Sequence, residues 1–323
     1  MKVSIGVPIY SAEKYINRCA RSLFEQNYKD IEYIFVDDCS PDKSIDMLKN
    51  TLLNYPERSE QVKIIRHDKN KGVACARNTA LRYFSGEYII WVDPDDWLDV
   101  NAISILVEIQ EKTNCDIITF DSIWHYASRD IVFHDKFVKT PKDALVGIFE
   151  RTNVNTLWGR FIRKKIYDEH KIFCKPGVNM GEDLQQIIKL LYYSQSIQFC
   201  DLPLYHYECT NISSSTSTFS ELKIRQSIES LNIVKDFIRG KDAVLMDKFN
   251  EYVAYSLTTF MAGSLNNNRC KCYLFIMQKI LELPHKSLKN IPVKYRILIY
   301  LKSYFWARVY CKLGKIINKI MEK

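Results

Sequence analysis

Four apolar runs alternate with three helical patterns inside the first hundred residues, and that alternation leaves few folds open. "KVSIGVPIY", "IEYIFVDD", "VKIIRHD" and "EYIIWVD" are β-rich and nearly continuously apolar. The first helical pattern puts Ile16, Cys19, Ala20, Leu23 and Phe24 on one face, with Ser11 read as its N-cap. The second has Ser40 at the cap and Pro41 just inside the helix. The third, "KGVACARNTALRYF", stops at Ser85 and Gly86. Strands separated by helices of this length join through right-handed crossovers into a mostly parallel sheet. Unbroken apolar strands fit a sheet covered by helices on both faces. Ligands in such sheets bind beyond the carboxyl ends of the strands. That is where this chain puts Pro8, Tyr10, Asp37, Asp38 and the acids from Asp93 to Asp96.

Past residue 100 the alternation loosens. A helix is expected from about Val100 to Lys112, followed by strand-like runs "CDIITFDSIW" and "IVFHDKFV" and a helical "PKDALVGIF". "GEDLQQIIKLLYYS" opens with acids, favourable at a helix N-terminus, and lines up Leu184, Ile187, Ile188 and Leu191. "SIQFCDLPLYHYE" reads as one or two strands, "NISSSTSTFS" as a loop, and the chain from Glu221 as largely helical.

The run "IIWVDPDDWL" at 89–98 crowds three acids at the end of a strand. Carboxylates this close repel one another and resist burial. A divalent cation removes the difficulty, since Mg2+ and Mn2+ take hard oxygen ligands, usually one or two carboxylates completed by water and substrate phosphates. The D-x-D spacing puts Asp93 and Asp95 on one side of an extended segment, and Pro94 stiffens the turn. A capped turn built on Asp96 or Asp99 explains one acid and leaves the others without a reason. Asp38 of "VDDCSPD" stands where a carboxylate accepts from a uracil N–H or from ribose hydroxyls, or caps a helix as Ser40 and Asp42 do. Tyr10 is placed to stack on a nucleobase or to pack. Lys71, Gly72 and Arg77 of "NKGVACARN" lie near a helix N-terminus, which favours phosphate. Lys71 or Arg77 reaches a pyrophosphate there, although Arg77 reads better as a buried Arg–carboxylate pair holding the strand-end loops. Trp158 reads as a sugar platform or as core, and His206 among tyrosines is assigned no ligand.

In this order the motifs resemble the family 2 inverting glycosyltransferases of GT-A fold. "VPIY" is similar to that family's Pro-x-Tyr turn, and "VDDCSPD" to its VDDGS-D motif with Cys39 in the glycine place. "NKGVACARN" is similar to its N-G-x-x-x-ARN, "DPDD" to its DxDD, and Gly181–Asp183 to its Gly-Glu-Asp. The resemblance covers Met1 to about Tyr207. It implies an α/β, Rossmann-like, mostly parallel sheet flanked by helices, with a helical C-terminal extension. Residues 1–218 would be the catalytic domain, 1–100 its nucleotide-binding half and 101–218 its acceptor half, with 219–323 a helical region ending in a basic tail. The resemblance also implies roles. Asp38 would bind the base with Pro8 and Tyr10 beside it, and Asp93 would hold the ribose or a metal-bound water. Asp95 would ligate the Mn2+ or Mg2+ that bridges the donor phosphates, and Asp183 would be the catalytic base. Inverting transfer needs a base for the acceptor hydroxyl and something to neutralise the departing diphosphate. A free Asp has a pKa of ~3.9, so Asp183 works best desolvated or near another acid, and Glu182 is next to it.

Processive synthases of this family carry several membrane spans and a Gln-x-x-Arg-Trp motif, and this chain has neither. It reads as an enzyme adding one sugar, or a short run, from a UDP-sugar to a glycan- or lipid-linked acceptor in surface polysaccharide synthesis. A sugar nucleotidyltransferase would want a Gly-rich, Arg/Lys-containing loop after the first strand, which "VPIYSAEKY" does not supply. A non-catalytic nucleotide-binding scaffold would have no use for both Asp95 and Asp183.

The net charge of +8 is concentrated at one end: from Pro284 onward there are ten Lys/Arg and one acid, Glu322. Drawn as a helix, residues 294–320 place Ile299, Trp306, Tyr310, Leu313 and Ile317 on one side and Lys302, Arg308, Lys312, Lys315 and Lys319 largely on another. Such helices lie in membrane interfaces, where anionic lipid attracts each nearby cation by ~1 kcal/mol. A terminal helix packed on the body with a solvated basic face is the other reading. No run approaches the ~18 apolar residues of a spanning helix, and Met1–Tyr10 has no export-signal pattern. The expectation is a cytoplasmic protein, peripheral on the inner face of the membrane. Its ten scattered cysteines then read as reduced thiols without zinc spacing. With no recognised binding module, a nucleic-acid partner is not expected.

Overall fold

In a computed structural model, which describes residues 1–211, 220–267, 269–289, 291–301 and 303–309, the first apolar runs become strands covered on both faces. Every residue of β1 (Val3–Ile9) and β2 (Ile31–Asp37) is buried. With β3 (Val62–Arg66) and β4 (Tyr88–Trp91) they pair in parallel in the order β3-β2-β1-β4. The crossovers are α1 (Ile16–Phe24), α2 (Ser44–Leu52) and α3 (Val73–Tyr83). Helix α1 buries the five residues that the periodicity puts on one face. The α/β sheet flanked by helices is therefore the GT-A-type architecture that the motifs imply.

Beyond β4 the sheet is mixed. Strand β5 (Trp97–Leu98) and helix α4 (Ala102–Thr113) are followed by β6 (Ile117–Tyr126) and its hairpin partner β7 (Arg129–Phe133). Then come α5 (Pro141–Glu150), β8 (Arg160–Arg163), α6 (Lys164–His170), α7 (Glu182–Tyr193) and β9 (Ile197–Glu208). Strand β8 is antiparallel to both β4 and β6, β9 runs parallel to β6, and β5 closes the order antiparallel to β9. The parallel pattern ends at β4 because β8 enters from the carboxyl edge of the sheet and runs back. That geometry keeps the ends of β1, β2 and β4 on one open edge.

The loops at that edge correct two expected caps. Ser11 is not an N-cap: its φ is +52°, and α1 begins only at Ile16. Ser40 and Pro41 precede α2, which starts at Ser44. Their neighbours instead tie two loops together. Ser44 Oγ accepts from the Ala12 N–H at 2.8 Å, Asp42 from the Glu13 N–H at 3.0 Å, and Asp37 from the Ser40 N–H at 2.7 Å. Short polar side chains here satisfy loop amides, and Asp42 serves the helix end as well, its Oδ1 accepting from the N–H of Ser44 at the start of α2 at 3.1 Å.

The described residues fall into two compact units that change over near residue 215, with Phe149–Arg151 belonging to the second. In the second, α8 (Glu221–Ile238), α9 (Ala243–Asn266), α10 (Cys270–Leu281) and α11 (Val293–Leu301) surround a core that includes Leu257, Met261, Tyr273, Ile276 and Leu298. Asp242 caps α9 by accepting from the Leu245 N–H. The tail is not the single helix drawn from its sequence. Helix α11 ends at Leu301, and helical backbone resumes at 304–309 after Ser303. Ile299 is buried in the core whereas Trp306 is exposed, so the two do not share one outward side. Residues 310–323, and 212–219 of the Ser/Thr-rich loop, lie outside the described residues. Among the described residues no helix is long and apolar enough to cross a membrane.

Cys39, in the place where the family motif has glycine, has a φ of +60°. A left-handed backbone costs a side-chain-bearing residue roughly 1–2 kcal/mol, part of which glycine gives back in unfolded-state entropy. Cys39→Gly should therefore raise the unfolding free energy by about 0.5–1 kcal/mol in urea titrations. A loss of stability would show that the loop does not need this conformation.

Candidate active site

Three motifs meet at the open edge of the sheet through one side chain. Arg77 projects from α3 and is 2% exposed. Its Nη2 lies 3.2 Å from Asp93 Oδ1 in the β4–β5 loop and 3.2 Å from Asp183 Oδ1 in the first turn of α7. Its Nε lies 3.9 Å from Glu182 Oε1. Burial works against the charge on Arg77, but Asp183, Asp93 and Glu182 outweigh it and raise its pKa. The buried Arg–carboxylate pair is thus what the geometry gives for Arg77.

The acids feel the same crowding. Burial, opposed by Arg77 and reinforced by Asp183 and Asp95, pushes Asp93 up to about 6. Burial raises Asp95 as well, although the Asn211 amide donates to its Oδ2 at 2.8 Å. Burial and the adjacent Asp183 push Glu182 up to about 8. Asp183 Oδ2 accepts from the Leu157 N–H at 3.2 Å. Gly181, at φ +76°, makes the sharp entry into α7 that puts both acids at the helix N-terminus.

The DPDD acids divide by direction. Asp96 is fully buried and turned inward, where Tyr205 Oη donates to it at 2.6 Å and the Glu208 N–H at 2.8 Å. It caps no helix: α4 begins at Ala102, after Asn101. Asp93 and Asp95 keep partial exposure. Among the described residues no group of three or more His, Cys, Asp or Glu gathers to hold a metal ion.

The expected nucleotide contacts separate. Tyr10 stands 49% exposed past the end of β1, whereas Pro8 is buried inside β1 in register with Val36. Asp38 is 2% exposed and occupied by the protein. Its Oδ1 bonds the Lys71 N–H at 2.8 Å and His67 Nδ1 at 2.6 Å, and its Oδ2 accepts from the Gly72 N–H at 2.6 Å. It shapes the β3–α3 loop from within. Lys71 Nζ sits at the surface beside Asp68, 2.5 Å away. Trp158 is core, stacked on Tyr205 and Tyr207 with centroids 4.9 and 5.2 Å apart. His206 stacks on Trp97 and lies 3.0 Å from His125 Nε2; burial, then His125, pushes it down to about 4.

Sequence reasoning missed Arg18. Its Nη2 donates to the Asp95 carbonyl at 2.8 Å and to Glu208 Oε2 at 2.8 Å, which braces the DPDD loop from α1. Nothing in the α1 pattern marks it, because it looks like any cation on a helix flank. Asn211 was likewise hidden in a polar stretch.

Residues 4–176 match the family model described as Glycosyl transferase family 2. This chain belongs to that family. GlyA, a glycosyltransferase of Streptococcus pneumoniae serotype 4, is 26% identical over 223 residues, which are 64% of this chain but only 30% of GlyA. The chain thus spans less than a third of that relative. The putative teichuronic acid biosynthesis glycosyltransferase TuaG of Bacillus subtilis is 25% identical over 237 residues, 72% of this chain and 90% of TuaG. In structure the chain is similar to S. aureus TarS 1–349 in complex with UDP-GlcNAc, with a TM-score of 0.75 and 18% identity across 98% of this chain and 92% of that one. That likeness shows a shared fold.

The Glu182 proton has a measurable consequence. The folded chain holds it up to about pH 8, against an ordinary value of 4.5. The stability it contributes is therefore complete below about pH 4.5 and lost as pH rises toward 8. Glu182→Gln cannot ionise. Between pH 5 and 8, urea unfolding of the metal-free variant should lose less stability than the parent, by about 1 kcal/mol or more. Equal losses would place Glu182 in a wetter setting than this.

Proposed function

We propose that this chain transfers a sugar from a nucleotide-sugar, a UDP-sugar, to a hydroxyl of a glycan- or lipid-linked acceptor in surface polysaccharide synthesis, with inversion at the anomeric carbon. The observation that carries this reading is one guanidinium shared between the DPDD and Gly-Glu-Asp motifs, which puts Asp93 and Asp183 against the same side chain. The family membership and the fold shared with a UDP-GlcNAc-bound protein support the donor class. Residues 1–218 would carry the reaction, with the donor on 1–100 and the acceptor on 101–218.

A hard dication fits the residues present. Asp93 and Asp95 are the DPDD acids not locked inward, and both are held above their ordinary pKa. Asp183 Oδ1, although ion-paired to Arg77, is buried with no hydrogen-bond donor among the described residues. Asp95, with Asp93, would hold Mn2+ or Mg2+, whose chemistry is to neutralise the departing diphosphate. The chain does the rest. Tyr10 offers its open ring to the base, while Asp38 holds the loop behind it. Lys71, at the surface near the start of α3, would have to leave its exposed pair with Asp68 to reach the phosphates. Arg77 and the Leu157 N–H orient the Asp183 carboxylate. Asp183 takes the acceptor hydroxyl proton as that oxygen bonds to the anomeric carbon, and the carbon–oxygen bond to the diphosphate breaks on the opposite face. Trp158 is closed off in the core, so another surface must meet the sugar ring.

Manganese with UDP should raise the melting temperature of the parent, and Asp95→Ala should abolish that rise. Asp183→Asn should keep UDP binding yet lower kcat about 10²–10⁴-fold. Absence of any UDP effect on the parent, or undiminished turnover in Asp183→Asn, would overturn the assignment.

The tail would seat the enzyme on the cytoplasmic face of an anionic membrane. Tyr300, Phe305 and Trp306 are 81%, 66% and 58% exposed, beside a segment with ten cations. Aromatic side chains flanked by Lys and Arg suit that interface. Phe305→Ser with Trp306→Ser should lose co-sedimentation with phosphatidylglycerol vesicles, and retained co-sedimentation would refute the docking.

A further inference from the structure

A polar cleft opens beside α1, and it shares Arg18 with the bracing of the DPDD loop. It has a volume of about 470 Å³ and is lined by Lys14, Asn17, Arg18, Arg21, Ser22 and Trp97, among others. A second hollow of about 480 Å³ shares Asn17 and Arg21 in its lining and is lined also by Asn50, Asn54 and Tyr55. Three cations line the first hollow with one carboxylate, Glu25, and of the three Arg18 is already paired with Glu208 at 2.8 Å, which leaves Lys14 and Arg21 to supply most of the excess positive charge. The Arg21–Glu25 pair is exposed at 3.3 Å, and such pairs neutralise little. Lys14 has no ion-pair partner among the described residues. Arg18 makes both of its hydrogen bonds from Nη2, and its Nε is buried without an acceptor among the described residues. Its guanidinium lies 3.7 Å over the Trp97 ring, which fixes the plane of the fork.

We infer that this cleft binds an extended anionic, polyhydroxylated chain, a glycan or polyol strand bearing phosphodiester or uronate groups, and that this strand is the acceptor. Calling it the acceptor rests on the glycosyl-transfer reading; the binding does not. Lys14, Arg18 and Arg21 take the acid groups, and a planar guanidinium matches phosphate and carboxylate alike. Asn17, Asn50 and Asn54 supply both donors and acceptors to hydroxyls, and Tyr55 adds an aromatic body with a polar tip. Two hollows side by side, with Asn17 and Arg21 in both linings, suit a strand rather than a single sugar. Arg18 also joins the cleft to the chemistry, since the side chain that lines it bonds the Asp95 carbonyl. A strand lying here leads to the DPDD loop.

The test titrates the full chain without donor and reads tryptophan fluorescence. The probes are a short poly(glycerol phosphate), an oligogalacturonate of matched length and a neutral maltooligosaccharide. An anionic probe should bind, more weakly as salt rises, and the neutral probe at least about tenfold more weakly. Binding of the phosphate polymer alone would identify a phosphodiester, and of the uronate alone a carboxylate; both support the cleft. Lys14→Glu with Arg21→Glu changes two surface side chains and should raise Kd at least about tenfold. Circular dichroism checks that the double variant folds. Equal binding of the neutral probe, or an unchanged Kd in the double variant, overturns the inference. A parallel UDP titration separates the readings. UDP binding without polymer binding removes this inference alone, and polymer binding without UDP binding removes the donor assignment and leaves the cleft.

Discussion

A guanidinium almost sealed from solvent stands between carboxylates supplied by two other parts of the chain. Arg77 comes from α3, Asp93 from the loop after β4, and Glu182 and Asp183 from the start of α7. Isolating a buried cation from its partners costs several kcal/mol, so neither the loop nor the helix can withdraw without leaving that charge unmatched. The arrangement is also out of balance, with one cation facing three acids. Glu182 eases it by keeping its proton near neutral pH, and Asp93 by a raised pKa. What remains is a corner still short of positive charge.

The crowded acids after β4 therefore do two separate jobs. Asp96 belongs to the fold and is held by the Tyr205 hydroxyl and the Glu208 amide. Asp93 and Asp95 face the open edge. Repulsion among them is contained because each leans on a different partner: Arg77, the Asn211 amide, and strand β9.

What could be read from the sequence follows from the range of the forces involved. The four parallel strands and the inward face of α1 were legible because continuous apolar runs and a 3.6-residue period are local signals. The strand-end motifs were legible because unusual residue types stood where this topology binds ligands. Short elements were not: β5 has two residues and β8 has Arg at both ends, so neither shows an apolar run. Ser40 mimics a cap in sequence, and only the neighbouring β1–α1 loop shows that its surroundings bind loop amides instead. Asp38 looked like a ligand because nothing local says that two amides and His67 would already surround it. The tail misled through Ile299, whose burial depends on helices far away in sequence.

The bonds from Asp96 to β9 bear on how the protein is made. Tyr205 and Glu208 lie more than a hundred positions downstream of the loop they hold. A growing polypeptide that has emerged only through β4 already has the residues of a parallel four-stranded layer, yet neither anchor for the bend that follows. The DPDD turn acquires its shape late, when β9 docks. Strand pairing at such separations is slow, so the DPDD corner matures after the scaffold that carries it.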